Sequence, residues 1–171
     1  METRRDDVGQ SDEVDRIIAA WRRERPDLDL TPMAVVSRVT RLARHLNLAR
    51  RRAFARSDLD SWEFDVLAAL RRAGEPYRLS PGALLTQTLV TSGTMTNRID
   101  RLTERGLVQR HRSSDDRRGV IVQLTPLGLD RVDTAMAILL AAEQEILNTL
   151  GSAERDTLSG LLRTLVTQFE S

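Results

Sequence analysis

The sequence predicts a mainly α-helical fold with a small β-hairpin wing, in which a winged helix-turn-helix core is flanked by N-terminal and C-terminal helices. Apolar residues recur at helical spacing through most of the chain. Two helical stretches in its middle are separated by a very short gap, which is typical of a helix-turn-helix. Two β-rich segments follow directly and enclose a turn, as a wing would.

The 171 residues fit one fold, and 40% apolar content is enough to bury a core. Cysteine is absent, which excludes disulfides, thiol-based sensing and thiolate metal sites. No apolar run is long enough to span a membrane, and residues 1–10, the expected flexible N-terminus, lack the apolar core of a signal peptide. We therefore expect a cytoplasmic protein, associated with the nucleoid when bound to DNA.

Residues 11–57 are predicted to form two N-terminal helices. The first spans residues 11–25 and ends at Pro26. The second is capped by Thr31, has Pro32 at its first helical position and continues to about Arg56. Apolar residues recur at helical spacing along the longer helix, which therefore needs a surface against which to bury them.

Residues 58–125 are predicted to form the DNA-binding domain. Its first helix begins at Asp60 or Ser61 and stops at Gly74, and a short helix follows over residues 80–88. The next helix is capped by Ser92 and ends at Gly106. Strands over residues 107–112 and 120–124 complete the hairpin, and residues 126–171 form C-terminal helices that reach about residues 150 and 169.

Every basic residue of the chain is arginine, and the arginines are clustered. Residues 38–56 hold seven arginines and no acid, and residues 98–118 hold seven arginines against four acids. Arginine forms bidentate hydrogen bonds with phosphate and guanine, so both zones are candidate nucleic-acid contacts. GC-rich coding would explain the choice of arginine over lysine but not the clustering.

The helix that begins near Ser92 presents two different faces in a helical projection. Met95, Ile99 and Leu102 point inward, and a polar set lies elsewhere. Arginine pairs with guanine and asparagine with adenine, so the polar set suits base edges, although an ordinary solvated face is the alternative. The predicted DNA-binding residues of this helix are Ser92, Gly93, Thr94, Thr96, Asn97 and Arg101.

The turn between the two predicted strands carries Asp116, Arg117 and Arg118, which we also predict to bind DNA. An extended Arg118 could enter a narrow minor groove, and Asp116 could orient its guanidinium by a charge-assisted hydrogen bond. The alternative is that these residues simply occupy an exposed turn. The preceding polar helix favours the DNA interpretation.

These motifs together resemble the MarR family of winged-helix regulators over nearly the whole chain. The resemblance is carried by residues 79–82 (LSPG), 92–102 (SGTMTNRIDRL), 105–108 (RGLV), 116–118 (DRR) and 125–128 (TPLG). The resemblance implies an obligate homodimer in which the terminal helices of two subunits interlock, so that the longer N-terminal helix and the C-terminal helices of residues 126–171 take part in dimerisation. It also implies a repressor whose two winged helix-turn-helix domains bind double-stranded DNA at a pseudo-palindromic operator.

Residues 14–21 (VDRIIAAW) are similar to the extra N-terminal helix of the urate-responsive, PecS-like subgroup of that family. The subgroup resemblance implies a ligand pocket formed by Trp21, Asp65, Arg98 and Arg110. These residue types suit a flat anion such as urate or a related purine, since indole can pack on the ring, arginine offsets its charge and carboxylate accepts its N–H groups. The expected effector is therefore a small molecule rather than a resident cofactor.

Each of the four residues also has an ordinary structural interpretation. Trp21 could be core, Asp65 a solvated charge, Arg98 a phosphate contact and Arg110 a wing contact. Two further hypotheses therefore stay open: a regulator of this family for phenolic or antibiotic ligands, and a basic helical scaffold for an acidic protein partner. His45 and His111 are too few for a metal site, and no catalytic spacing indicates an enzyme.

Overall fold

The computed structural model describes residues 11–88, 90–112 and 119–170. The predicted flexible N-terminus (residues 1–10) and the predicted wing contacts Asp116, Arg117 and Arg118 lie outside them. The helices are α1 (Glu13–Glu24), α2 (Thr31–Arg56), α3 (Ser61–Arg72), α4 (Pro81–Thr88), α5 (Ser92–Glu104), α6 (Pro126–Leu147) and α7 (Ser152–Thr167). The strands are β1 (Arg78–Leu79), β2 (Val108–Arg112) and β3 (Val120–Leu124). The mainly helical winged-helix prediction is confirmed.

The chain divides into two compact units, Met1–Leu48 and Ala49–Ser171. The division falls inside α2, whereas the sequence predicts a boundary after residue 57. The second unit contains the winged-helix segment together with α6 and α7. Val132, Ala135 and Leu139 of α6 belong to the same buried cluster as α3 and α5.

In the first unit, Val14 and Ile18 of α1 form a buried cluster with Leu30, and Met33 and Ala34 of α2 pack against it. Asp12 caps α1, and its carboxylate accepts a 2.9 Å hydrogen bond from the backbone N–H of Asp15. This bond, followed by the contact with Arg38 of α2, lowers the pKa of Asp12. α1 is therefore held to α2 by an apolar contact and by charge pairs at its N-terminus.

The start of α2 differs from the prediction by one residue. Thr31 lies inside the helix, and its backbone N–H donates to the Asp29 carboxylate at 2.9 Å. Asp29, and not Thr31, therefore supplies the side-chain cap at the start of α2, because its carboxylate oxygen can satisfy one of the free N–H groups of the first turn.

In the second unit, one continuous core joins α3, α4, α5, the sheet and α6. Phe54 at the end of α2 stacks on Phe64 of α3 with ring centroids 4.2 Å apart. Met95, Ile99 and Leu102 of α5 are buried, as the helical projection predicts. The burial of this stripe fixes which face of α5 meets solvent.

α5 begins and ends with local hydrogen bonds. The predicted cap Ser92 is its first helical residue, and Thr91 is the cap that accepts from Thr94 N–H at 3.4 Å. The helix stops at Gly106, whose φ of +67° is a conformation that glycine adopts without strain. The prediction of the helix is therefore correct and its cap is displaced by one residue.

The sheet has three antiparallel strands in the order β1-β3-β2. The hairpin pairs Arg110 with Val122, while β1 adds a pairing of Arg78 with Gln123. The hairpin was predicted from sequence, whereas β1 was not, because two residues are too short to show a periodic pattern. β1 extends the sheet beyond the hairpin.

α6 starts where the sequence predicts, since the Thr125 hydroxyl accepts from Gly128 N–H at 3.0 Å and Pro126 follows it. It ends at Leu147 rather than near residue 150, and α7 ends at Thr167 rather than at 169. Within the described ranges, no helix is at once long enough and apolar enough to cross a membrane.

Candidate nucleic-acid interface

The outer face of α5 is polar and open to solvent. All six residues predicted to contact DNA from this helix are exposed, while the stripe of Met95, Ile99 and Leu102 is buried. The helix therefore offers a continuous polar face along three turns, which is the geometry that reading a major groove requires. The exposed set is Ser92, Gly93, Thr94, Thr96, Asn97 and Arg101.

The first turn of α5 is open for close approach by an anion. It contains no acidic residue, and a Cβ placed on Gly93 would meet no atom within 4 Å. The hydroxyls of Thr91 and Thr94 lie 2.9 Å apart, next to the N–H groups that every helix leaves unpaired at its start. A phosphate would be favoured at this position by those N–H groups and by the helix dipole.

An open pocket of about 500 Å³ lies between the first turn of α3 and the outer face of α5. The guanidinium carbon of Arg98 lies 5.5 Å from the centroid of the Trp62 ring, and that of Arg101 lies 4.8 Å from it. The pocket is lined by Trp62, Gly93, Thr94, Asn97, Arg98 and Arg101.

Trp62 was not singled out from the sequence, and its contact with the two arginines was not predicted. The spacing of Arg98 and Arg101, three residues apart on one helix, does signal that both could face one partner. It does not say which partner, because Trp62 is distant in sequence and only the folded chain brings it to α5.

The four residues predicted to form an effector pocket have different surroundings. Trp21 lies in the first unit and is 45% exposed. In the second unit, Asp65 lies 3.6 Å from Arg50, and Arg98 lies over Trp62. Arg110 of β2 donates a hydrogen bond to Asp100 of α5. In this structure Asp65, Arg98 and Arg110 therefore each contact a different neighbour.

The pair formed by Arg110 and Asp100 links α5 to strand β2 of the hairpin. Both side chains are partly exposed, so the energy of this single ion pair is small. Its position still matters, because an anion that replaced Asp100 as the partner of Arg110 would release that link.

The C-terminal end of α5 is held by a carboxylate that the sequence did not single out. Glu63 of α3 is only 1% exposed and accepts from Arg105 at 2.5 Å and from Asp60 N–H at 2.9 Å. Arg105 also donates to the carbonyl and the carboxylate of Asp58, each at 2.7 Å. The hydrogen bond to Glu63 is the main cause of the raised pKa of Arg105. Arg105 thus anchors α5 to the turn between α2 and α3.

Among the described residues, no group of three or more His, Asp or Glu side chains is placed to hold a metal ion.

Comparison with known proteins agrees with this geometry. A model of the MarR family matches residues 57–119. The transcriptional regulator PecS of Dickeya dadantii is 36% identical over 150 residues, which cover 88% of this chain and 90% of PecS. The chain belongs to the MarR family. It is accordingly a DNA-binding transcriptional regulator, and the prediction that it is not an enzyme is confirmed by this membership.

Two solved structures are similar to the chain. A mutant of MarR from E. coli complexed with operator DNA has a TM-score of 0.61 and 27% identity, covering 81% of this chain and 99% of that one. BpsR of Bordetella bronchiseptica, whose DNA binding is regulated by 6-hydroxynicotinic acid, has a TM-score of 0.57 and 30% identity, covering 75% and 98%. These relatives include one seen on operator DNA and one regulated by a small aromatic acid.

Proposed function

We propose that this MarR-family chain is a ligand-responsive repressor that binds a pseudo-palindromic operator as a homodimer and is released by a small aromatic anion such as urate or a related purine. The observation that carries the DNA-reading part is the exposed polar face of α5, whose opposite stripe is buried in the core. Asn97 and Arg101 on that face carry the groups that recognise adenine and guanine.

Operator binding is tested with the intergenic DNA beside the chain's own gene. Arg101→Ala and Asn97→Ala are each expected to weaken operator binding in gel-shift titration by about 5- to 150-fold, the fold-change of about 1–3 kcal/mol for one base contact. Arg118→Ala, at the predicted wing tip, is also expected to weaken binding. The matched control is Arg72→Ala, an exposed arginine at the far end of α3 that should leave affinity unchanged.

Retention of full operator affinity by both Arg101→Ala and Arg118→Ala would contradict DNA reading by this surface. It would instead favour the basic scaffold for an acidic protein partner.

The homodimer is supported by apolar side chains that the single chain leaves in solvent. A soluble monomer rarely exposes so many large apolar residues in contiguous patches, so a second copy is the expected cover. A two-fold dimer would also place two α5 helices at half-sites about one helical turn apart. In the first unit the exposed set is Val35, Val36, Val39 and Leu42, and in α7 it is Leu161, Leu162, Leu165 and Val166.

The effector proposal rests on the PecS-like residues and on the charges around them. Arg110 is paired with Asp100, and Asp65 with Arg50, so these charges have partners within the chain. An aromatic anion would compete with Asp100 for Arg110 and draw Arg98 away from Trp62. Because Arg98 and Asp100 both lie on α5, ligand binding would alter the helix that reads DNA.

Urate added to the operator complex is expected to weaken binding by about 5- to 150-fold, corresponding to a coupling of about 1–3 kcal/mol. Arg98→Gln and Asp65→Asn should reduce this response, while Arg72→Ala should retain it. Operator affinity that stays constant across urate, xanthine and related anions would contradict the purine effector. An intact urate response together with lower stability in Trp21→Leu would indicate that Trp21 acts in the dimer core and not in the ligand pocket. Release by phenolic or antibiotic ligands, with no response to the purines, would favour the alternative regulator.

A further inference from the structure

We infer that Trp62 is a positioning residue that holds Arg101 for base reading and thereby sets operator specificity. The inference rests on the proposed reading of DNA by α5. Trp62 belongs to α3, whereas the proposed base contacts lie on α5.

The geometry lets one indole hold two arginines. Trp62 is the second residue of α3, is half-buried, and packs against the core cluster while it also lines the pocket beside α5. Arg98 and Arg101 are three residues apart, so they lie on one side of α5 about one turn from each other. Their guanidinium carbons lie 5.5 and 4.8 Å from the ring centroid. Since core packing holds the ring, the ring can hold the guanidiniums.

The contact leaves Arg101 able to bind a base. A guanidinium that lies over an aromatic ring uses its face, whereas its N–H donors point outward in the plane. Those donors can still form the bidentate pair with the O6 and N7 atoms of guanine. An arginine held in this way also loses less side-chain freedom on binding than a freely rotating one, so more of the interaction appears as affinity.

The same ring connects the effector residues with the reading residue. Arg98 belongs to the proposed effector set, and it shares Trp62 with Arg101. An anion that draws Arg98 off the ring would change how Arg101 is held, without direct contact between ligand and Arg101. Trp62 is therefore a point at which ligand binding can alter base preference.

The experiment compares operator DNA with scrambled DNA of the same length for Trp62→Leu and Trp62→Phe. Trp62→Leu is expected to weaken operator binding by about 5- to 30-fold and binding to scrambled DNA by less than about twofold, because each lost cation–π contact has a modest free energy. Trp62→Phe keeps an aromatic ring and should lose no more than about threefold. In an Arg101→Ala background, Trp62→Leu should add little further loss. Arg72→Gln serves as the charge-removal control.

Three results would overturn the inference: equal losses on operator and scrambled DNA, equal losses for Phe and Leu at position 62, or fully additive effects of Trp62→Leu and Arg101→Ala. Thermal unfolding verifies that each variant is folded, and Trp62→Met replaces Trp62→Leu if the latter unfolds below the assay temperature. Failure of the unmodified chain to bind any operator would instead overturn the proposed function on which the inference rests.

Discussion

Arg105→Met is expected to lower the free energy of unfolding by about 3 kcal/mol, measured by urea denaturation. The substitution leaves the Glu63 carboxylate, which is 1% exposed, without its cation. Breaking a buried ion pair from one side costs about 3–5 kcal/mol, and the lower end applies because the Arg105 side chain is 35% exposed. The Asp58 carbonyl loses a donor as well. The C-terminal end of α5 should therefore loosen.

The control for Arg105→Met is Arg25→Met, which removes an ion pair of similar length on the surface, with Asp27 at 2.6 Å. Both partners there are more than half exposed, so the stability of this variant should stay close to that of the parent. The double variant Arg105→Met with Glu63→Leu should recover part of the loss, since it removes the uncompensated carboxylate. Equal stability losses for Arg105→Met and Arg25→Met would contradict the role of the buried carboxylate.

Gly128→Ala is the second substitution with a large expected effect, also about 3 kcal/mol of unfolding free energy. A Cβ at this position of α6 would lie 2.0 Å from the carbonyl oxygen of Leu107 and 2.9 Å from its carbonyl carbon. These are backbone atoms, so no side-chain rotation can relieve the overlap. Leu107 also accepts from Thr125 N–H at 3.1 Å, so the substitution should separate the start of α6 from the base of the wing.

The matched control is Gly160→Ala, the same substitution inside α7. A Cβ there meets no atom within 4 Å, so the helix should gain about 0.5–1 kcal/mol from the better helix propensity of alanine. Opposite signs for the two variants in urea denaturation are the expected result. A loss of similar size at both positions would show that the close approach to Leu107 is not the cause at Gly128.

Local signals explain why so much of the fold could be predicted. The buried stripe of α5, the stop at Gly106 and the restart at Thr125 and Pro126 each depend on residues within a few positions of one another. Such signals act between neighbouring residues and need no distant partner. The errors at Thr31 and Ser92 are confined to one residue because neighbouring caps can replace each other. β1 escaped prediction because it exists only by pairing with β3.

The features of the candidate site also separate into those that local sequence predicts and those that depend on tertiary contacts. The sequence by itself determined the family, the helical order and the polar face of α5, because periodicity and short motifs carry that information. The tertiary structure alone decided that Trp62 meets Arg98 and Arg101, and that Glu63 is buried against Arg105. It also decided the partners of Asp65 and Arg110. These contacts join separate elements, and side chains acquire such partners only when packing of the core fixes the distance between those elements.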